Sequence, residues 1–464
     1  MIRRKRMKKL YLGILAGLGG ILLMGSVCMA DPADPAKIEE TLLYDENSIK
    51  VTATDLKYQY NNPILTVKLE NNSDKTLEFT SGAAGFARNA INGYMVGGGF
   101  MNEDIAPGTS MNQELKFSST ELSLYGIDDI GQITIDFEVE DEDEDEDNNA
   151  YCQTGPLVID TSLRDTYDPG EDTYRNTIQD PAALAKIGDV TVKSYAETEL
   201  YNNAGIAVTS EALLMNNSDS DLGVCLEVEN TSDKPVYFGI HDISMKGLQI
   251  SNGLWDGKDV LPGYKAIISL TRSNLFYHTD PELLGLNDAA DLGFKILLWD
   301  DDSNTFGEQN LDISLADDFP KVLDAGSIVY ENEGTEVYNS NDVRVVFKGI
   351  SKTQYDDFDV TFVVENHNQY AMRLSMDQEN VVVNGSMTID GSFFSETINA
   401  GCMEPVSVEL QEDSLSASGL SDPSQISSVK LQYQLQDDSY NDIGIIDIDI
   451  PTGEAPSTES TEIN

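Results

Sequence analysis

The stretch E-T-L-L-Y-D-E-N-S-I-K-V-T-A-T-D-L, from Glu40 to Leu56, decides the fold because it returns twice. It reads E-T-E-L-Y-N-N-A-G-I-A-V-T-S-E-A-L from Glu197 to Leu213 and G-T-E-V-Y-N-S-N-D-V-R-V-V-F-K-G-I from Gly334 to Ile350. With Tyr44, Tyr201 and Tyr338 as zero points, an acidic-Asn pair follows in each copy: Glu70-Asn71, Glu229-Asn230 and Glu365-Asn366. Glycines keep the same order, at Gly93, Gly247 and Gly385, then Gly108, Gly263 and Gly401. A Gly-apolar pair comes next, at Gly126-Ile127, Gly285-Leu286 and Gly419-Leu420. Self-similarity at this scale marks a tandem array of one unit.

Within each copy the apolar period is two. Ile49, Val51 and Ala53 alternate with Lys50, Thr52 and Thr54, and Val224, Leu226 and Val228 alternate with Cys225, Glu227 and Glu229. Alternation places one face on a core and one in water. Asn71-Asn72-Ser73-Asp74-Lys75 and Asn230-Thr231-Ser232-Asp233-Lys234 supply side chains that bond their own backbone in turns. Short helices are expected around Ser119–Tyr125, Asp280–Leu284 and Ser414–Ser418. About seven short strands per copy predict an all-β chain of three tandem antiparallel sandwiches.

The turn E-N-N-S-D-K-T from Glu70, the segment I-N-G-Y-M-V from Ile91 to Val96 and I-A-P-G-T from Ile105 to Thr109 resemble one family of modules. These are the immunoglobulin-like β-sandwiches that recur in secreted and cell-surface proteins of Gram-positive bacteria. The resemblance implies stalks, spacers or binding surfaces, and it is a likeness of fold. The expected layout is a signal peptide over 1–30, the first sandwich over 37–162, a linker over 163–186, the second sandwich over 187–316, the third over 323–450, and a disordered tail over 451–464. Asp168-Pro169-Gly170 and Asp180-Pro181 are expected to break regular structure in the linker, with at most one helical turn at Pro181–Lys186. The shorter junction after residue 316 implies closer coupling of the second and third copies.

Arg3-Arg4-Lys5-Arg6, an apolar stretch over 10–27 and Cys28-Met29-Ala30 have the layout of a secretory leader cut after Ala30. The alternative is an uncleaved membrane anchor through residues 10–27. Gly25 and Val27 do not fit a lipidation signal at Cys28. The net charge of −52 disfavours nucleic acid and anionic lipid. Acidic turns close the copies: Glu138–Asp147, Asp300-Asp301-Asp302-Ser303-Asn304 and Asp437-Asp438-Ser439-Tyr440-Asn441-Asp442. Clustered hard oxygens suit calcium, although no calcium-loop spacing is present.

Cys152, Cys225 and Cys402 fall at different places in the three copies, which predicts isolated thiols rather than a disulfide framework. His241, His278 and His367 show no metal-ligand spacing, no G-x-S-x-G elbow occurs, and Gly97-Gly98-Gly99 lacks the residues of a phosphate loop. The sequence therefore assigns no catalytic, cofactor-binding or metal residue. Tyr94, Phe100 and Trp255 are the candidate aromatic contacts. The expected function is that of a secreted, non-catalytic modular protein with a binding or spacer role at the cell envelope or outside the cell. Its partner would be an extracellular protein or glycan, with a membrane involved only if the N-terminal segment is retained. The alternatives are a calcium-stabilised adhesive surface protein and a carbohydrate-active hydrolase, which would need a deeper cleft than a small sandwich provides.

Overall fold

A computed structural model describes residues 35–82, 88–142, 150–187, 190–216, 222–253, 257–271, 280–300, 304–324, 326–353, 355–376, 380–393, 396–437 and 440–451. The N-terminal segment over 1–30, the tail after 451, Trp255, His278 and part of each acidic turn lie outside them. The described chain is mostly strand, arranged in several antiparallel sheets. No described helix is long and apolar enough to cross a membrane.

Each copy opens on the same local device. Thr41–Glu46 and Ile49–Gln59 form a hairpin whose turn residues Asn47 and Ser48 both take positive φ, 50° and 59°. Ala204 and Gly205, and Asn341 and Asp342, repeat it at the same offset from the tyrosine. Two residues at positive φ are what a tight hairpin needs to match the twist of its strands. The next strand ends at the recurrent asparagine, which is fully buried in the first two copies and nearly so in the third.

Asn71 Nδ2 donates to the carbonyls of Lys75 and Ile105, both at 2.8 Å, while its Oδ1 accepts from the Ser73 amide at 3.0 Å. Asn230 donates to Lys234 and Val260 (2.8 and 2.7 Å) and accepts from Ser232 (2.9 Å). Asn366 donates to Tyr370 and Ile398 (2.9 and 3.1 Å) and accepts from Asn368 (2.9 Å). One amide thus closes its own turn and ties it to a strand that starts or ends across the core. The following amide, of Asn72, Thr231 or His367, donates to the hairpin carbonyl of Ser48, Gly205 or Asp342 at 2.7–2.8 Å.

Helices close the same turn in the first and third copies, Ser119–Leu124 and Glu412–Ala417. Each ends on a glycine at positive φ, and the Ile127 or Leu420 amide reaches back five residues to Leu122 or Leu415 at 2.8–2.9 Å. In the second copy the expected helix at 280–284 is a run of turns, yet the Leu286 amide makes the same bond to Pro281 at 2.8 Å.

The first copy forms one sheet from Thr41–Glu46, Ile49–Gln59, Asn62–Asn71 and Thr109–Lys116, and another from Ala150–Gln153, Glu138–Asp141, Leu77–Ser81 and Met101–Ile105. Its strands Leu157–Asp160, Gln132–Ile135, Ala90–Ile91 and Tyr94–Met95 continue, through a parallel step at Tyr94 and Lys265, into strands Lys265–Thr271, Leu222–Asn230, Ile206–Asn216 and Val190–Asn203 of the second copy. The second copy's other sheet centres on Val236–Met245 and Asp291–Trp299. The third copy runs from Thr335–Ser340 to Asp442–Pro451.

Buried apolar residues fall into three clusters, and the first two cross copy boundaries. Ala212, Leu214, Cys225 and Ile267 of the second copy belong to the first cluster. Val363 of the third copy belongs to the second.

The linker departs from expectation. Thr173–Gln179 and Pro181–Ile187 are helices. Asp172 caps the first by accepting from the Arg175 amide at 3.0 Å, and Tyr174 and Ile178, one turn apart, bury their side chains in the first cluster. Tyr330 makes the matching insertion at the next junction, lying in the second cluster and donating its hydroxyl to Leu284 O at 2.9 Å. The longer first junction is therefore packed as well as the shorter second one.

Gly385 and Gly247 occupy equivalent hairpin positions at φ 74° and 75°, but their surroundings differ. A Cβ at Gly385 meets open space, whereas one at Gly247 falls 2.5 Å from the Ile328 carbonyl of the second junction. Gly385→Ala should cost about 1 kcal/mol of backbone strain. Gly247→Ala should cost more and expose the junction around Ile328 to proteolysis. Equal costs in chemical denaturation would contradict this.

Candidate functional site

The densest set of charged side chains among the described residues lies where the first copy meets the second. It begins with the Asp172 cap of the Thr173–Gln179 helix. The cap aims Arg175 across the sheet of the second copy. Arg175 Nη2 donates to Glu227 Oε1 at 3.0 Å and Nη1 to Glu197 Oε1 at 2.8 Å. Its Nε lies 3.0 Å from Glu211 Oε1 and 3.1 Å from Asp172 Oδ2, without hydrogen-bond alignment. Lys265 Nζ donates to Asp172 Oδ2 at 2.5 Å and to Glu227 Oε1 at 3.1 Å. The Tyr94 hydroxyl of the first copy donates to Asp172 Oδ1 at 3.2 Å. Four carboxylates thus face two cations, and the Glu211 and Glu227 side chains are 0% and 2% exposed.

Burial pushes the Glu211 carboxyl up to about 8 despite Arg175, with Glu227, Glu197 and Asp172 adding to the rise. Burial also raises Glu227. Asp172 is desolvated too, but its bonds from Lys265 and the Arg175 amide, with both positive charges, hold it below the usual range. The set resembles a structural ion network. Its charges face one another, while both Glu211 oxygens and Glu227 Oε2 accept no hydrogen bond. A second link, Arg88 Nε to Asp259 Oδ2 at 3.2 Å, joins the same two copies. Sequence reading missed this site because Asp172 and Arg175 lie outside the repeat and Glu211 reads as one more strand residue.

A second cluster sits on the first copy's outer face. Glu140, Glu78 and Asp104 stand opposite one another on three adjacent strands. Carboxylate oxygens of Glu78, Asp104 and Glu142 all lie within 4.8 Å of one another. Like charges in cross-strand register repel, and oxygen ligands at this spacing can hold a hard divalent cation.

The other singled-out residues are dispersed. Tyr94, a candidate contact, is 3% exposed and acts inside the junction; Phe100 is 51% exposed. His241 stacks edge-on against Trp299 at 5.4 Å, and His367 Nε2 lies 3.1 Å from Glu365 Oε2. Cys152, Cys225 and Cys402 are free thiols, with Cys225 buried in the first cluster. A shallow polar hollow of about 180 Å³ lies between Gly126 and the linker helices, with Thr173, Thr177 and Asp180 among its walls.

No family model matches the chain, and no curated protein matches it. Among solved structures it is similar to a protein of unknown function from Porphyromonas gingivalis at 11% identity, covering 57% of this chain and 100% of that one, with a TM-score of 0.15. It is similar to the exo-chitosanase CsxA of Amycolatopsis orientalis at 11% identity, covering 49% of this chain and 25% of that one, at 0.15. A bacterial ice-binding adhesin matches at 11% identity over 83% of this chain and 90% of that one, at 0.13. Likenesses this weak carry no argument about fold or function, and the comparisons place the chain in no family.

Proposed function

We propose that the chain is a secreted, non-catalytic array of three immunoglobulin-like sandwich modules. Fixed junctions would hold these modules at set distances, as a spacer or a presenter of binding surfaces at the cell envelope or outside the cell. The carrying observation is the pair of plugs, Tyr174 in the first core cluster and Tyr330 in the second. A segment whose tyrosine is buried in the upstream core has little freedom to swing, and freedom is what a flexible tether would need. The repeated asparagine brackets support three modules of one kind. Small-angle scattering of the full chain tests the spacer reading. One arrangement of the three modules should reproduce the profile; a profile that requires an ensemble of arrangements would sink it.

The Glu78, Asp104 and Glu142 cluster favours a second reading, in which calcium stiffens the first module. Thermal melting with millimolar calcium and with chelator tests it. A rise of about 3 °C or more with calcium, abolished by Asp104→Asn, is the expected sign of binding to the folded form. An unchanged midpoint rules it out.

A further inference from the structure

The second strand of every copy carries a β-bulge at one position, ten residues after the hairpin tyrosine. Pairing skips Thr54, between Ala53 and Asp55, in the first copy. It skips Glu211, between Ser210 and Ala212, in the second, and Lys348, between Phe347 and Gly349, in the third. A bulge turns one side chain out of the regular alternation and re-aims it. Thr54 closes locally by donating to Thr66 O at 3.1 Å. Glu211 is aimed at Arg175, the neighbour of the Tyr174 plug. Lys348 sits 5.0 Å over the ring of the Tyr330 plug and donates to the Glu333 carbonyl at 2.5 Å. The two later copies thus point an ionisable side chain, of opposite sign, at the segment that enters the core before them.

We propose that this bulge is the junction latch of the array, and that proton binding at Glu211 tunes the first junction. The proposal rests on the fixed-junction reading above and adds its regulation. At the first junction the charge count is the geometric reason. Four carboxylates share two cations, and no hydrogen bond reaches either oxygen of Glu211. A proton on Glu211 relieves that excess. The groups facing it are Arg175, Tyr174 and Asp172 from the helix end, Glu197 and Tyr195 from Val190–Asn203, and Glu227 and Cys225 from Leu222–Asn230. Lys265 and Tyr94 complete the surround through Asp172. Facing Lys348 are Glu333 and Tyr330 of the junction, and Arg344 and Glu365 of the third copy.

Glu211 is raised from its ordinary value to about 8, so its contribution is full below the unfolded value and is lost as pH rises through about 8. Raising the pH from 6 to 9 therefore loosens the first junction.

The test is hydrogen exchange of the full chain at pH 6 and pH 9, corrected for intrinsic rates. Opening of the 173–179 helix should increase on the order of tenfold. Glu211→Gln should remove most of that response, with Thr54→Val leaving it unchanged. Glu197→Gln, at a half-exposed site, gives a second handle. It removes a neighbouring charge and should move the response to lower pH. No rise in opening of the helix between pH 6 and pH 9, or a full pH response in the Glu211→Gln variant, would overturn the latch. A scattering profile that demands an ensemble at every pH would instead remove the fixed-junction reading beneath it.

Discussion

At pH 9, where Glu211 is ionised, Arg175→Met is expected to destabilise the first junction by about 3–5 kcal/mol, because it leaves buried carboxylates without their shared cation. Among the described residues Arg175 is the one side chain that touches Asp172, Glu197, Glu211 and Glu227 together. Lys265 would still hold Asp172 and Glu227, so the largest uncompensated cost falls on Glu211, which is wholly buried and, among the described residues, has no other cation beside it. Adding Glu211→Gln should recover a substantial part of the loss, so that the double variant costs less than the sum of the two single changes. Urea unfolding of the four chains measures this cycle. Additive costs would show that Arg175 and Glu211 do not act as a pair.

Asn230→Ala is the second large effect, expected at about 3 kcal/mol. The substitution removes donors from the Lys234 and Val260 carbonyls and the acceptor of the Ser232 amide. Each buried polar group left unmade costs about 1–3 kcal/mol, and a small cavity adds to that. Asn230→Asp should be at least as harmful, since it keeps the acceptor but loses both donors and adds a buried charge. The same changes at Asn71 and Asn366 should give matching costs, because the bracket is the same in all three copies. Denaturant midpoints check the series. A mild effect at any one of the three would mean that its turn is held by other contacts.

The sequence showed these brackets plainly, though not their geometry. An asparagine kept in register three times, with small polar residues after it, reads as a turn, and the turn is there at each site. The recurrent glycines read as turns and take positive φ. The bulge was illegible for a physical reason. Thr54, Glu211 and Lys348 share a position but no chemistry, and comparison of the copies discards what does not recur. The linker helix was hidden by its flanking prolines. Pro181 begins a second helix just past the Gln179 end of the first, a position proline tolerates, and the Asp172 cap makes seven residues sufficient. Tyr94 read as a candidate ligand contact because its fate depends on a residue 78 positions away, Asp172.

The central claim is that the junctions fix the copies relative to one another. Pulsed electron resonance between spin labels measures that directly, with labels at the exposed positions Glu138 in the first copy, Thr305 in the second and Asp447 in the third. At neutral pH each pair of labels should give a single narrow distance distribution, and Arg175→Met should broaden the first-to-second distance and leave the second-to-third distance narrow. Broad distributions in the unaltered chain would contradict the account.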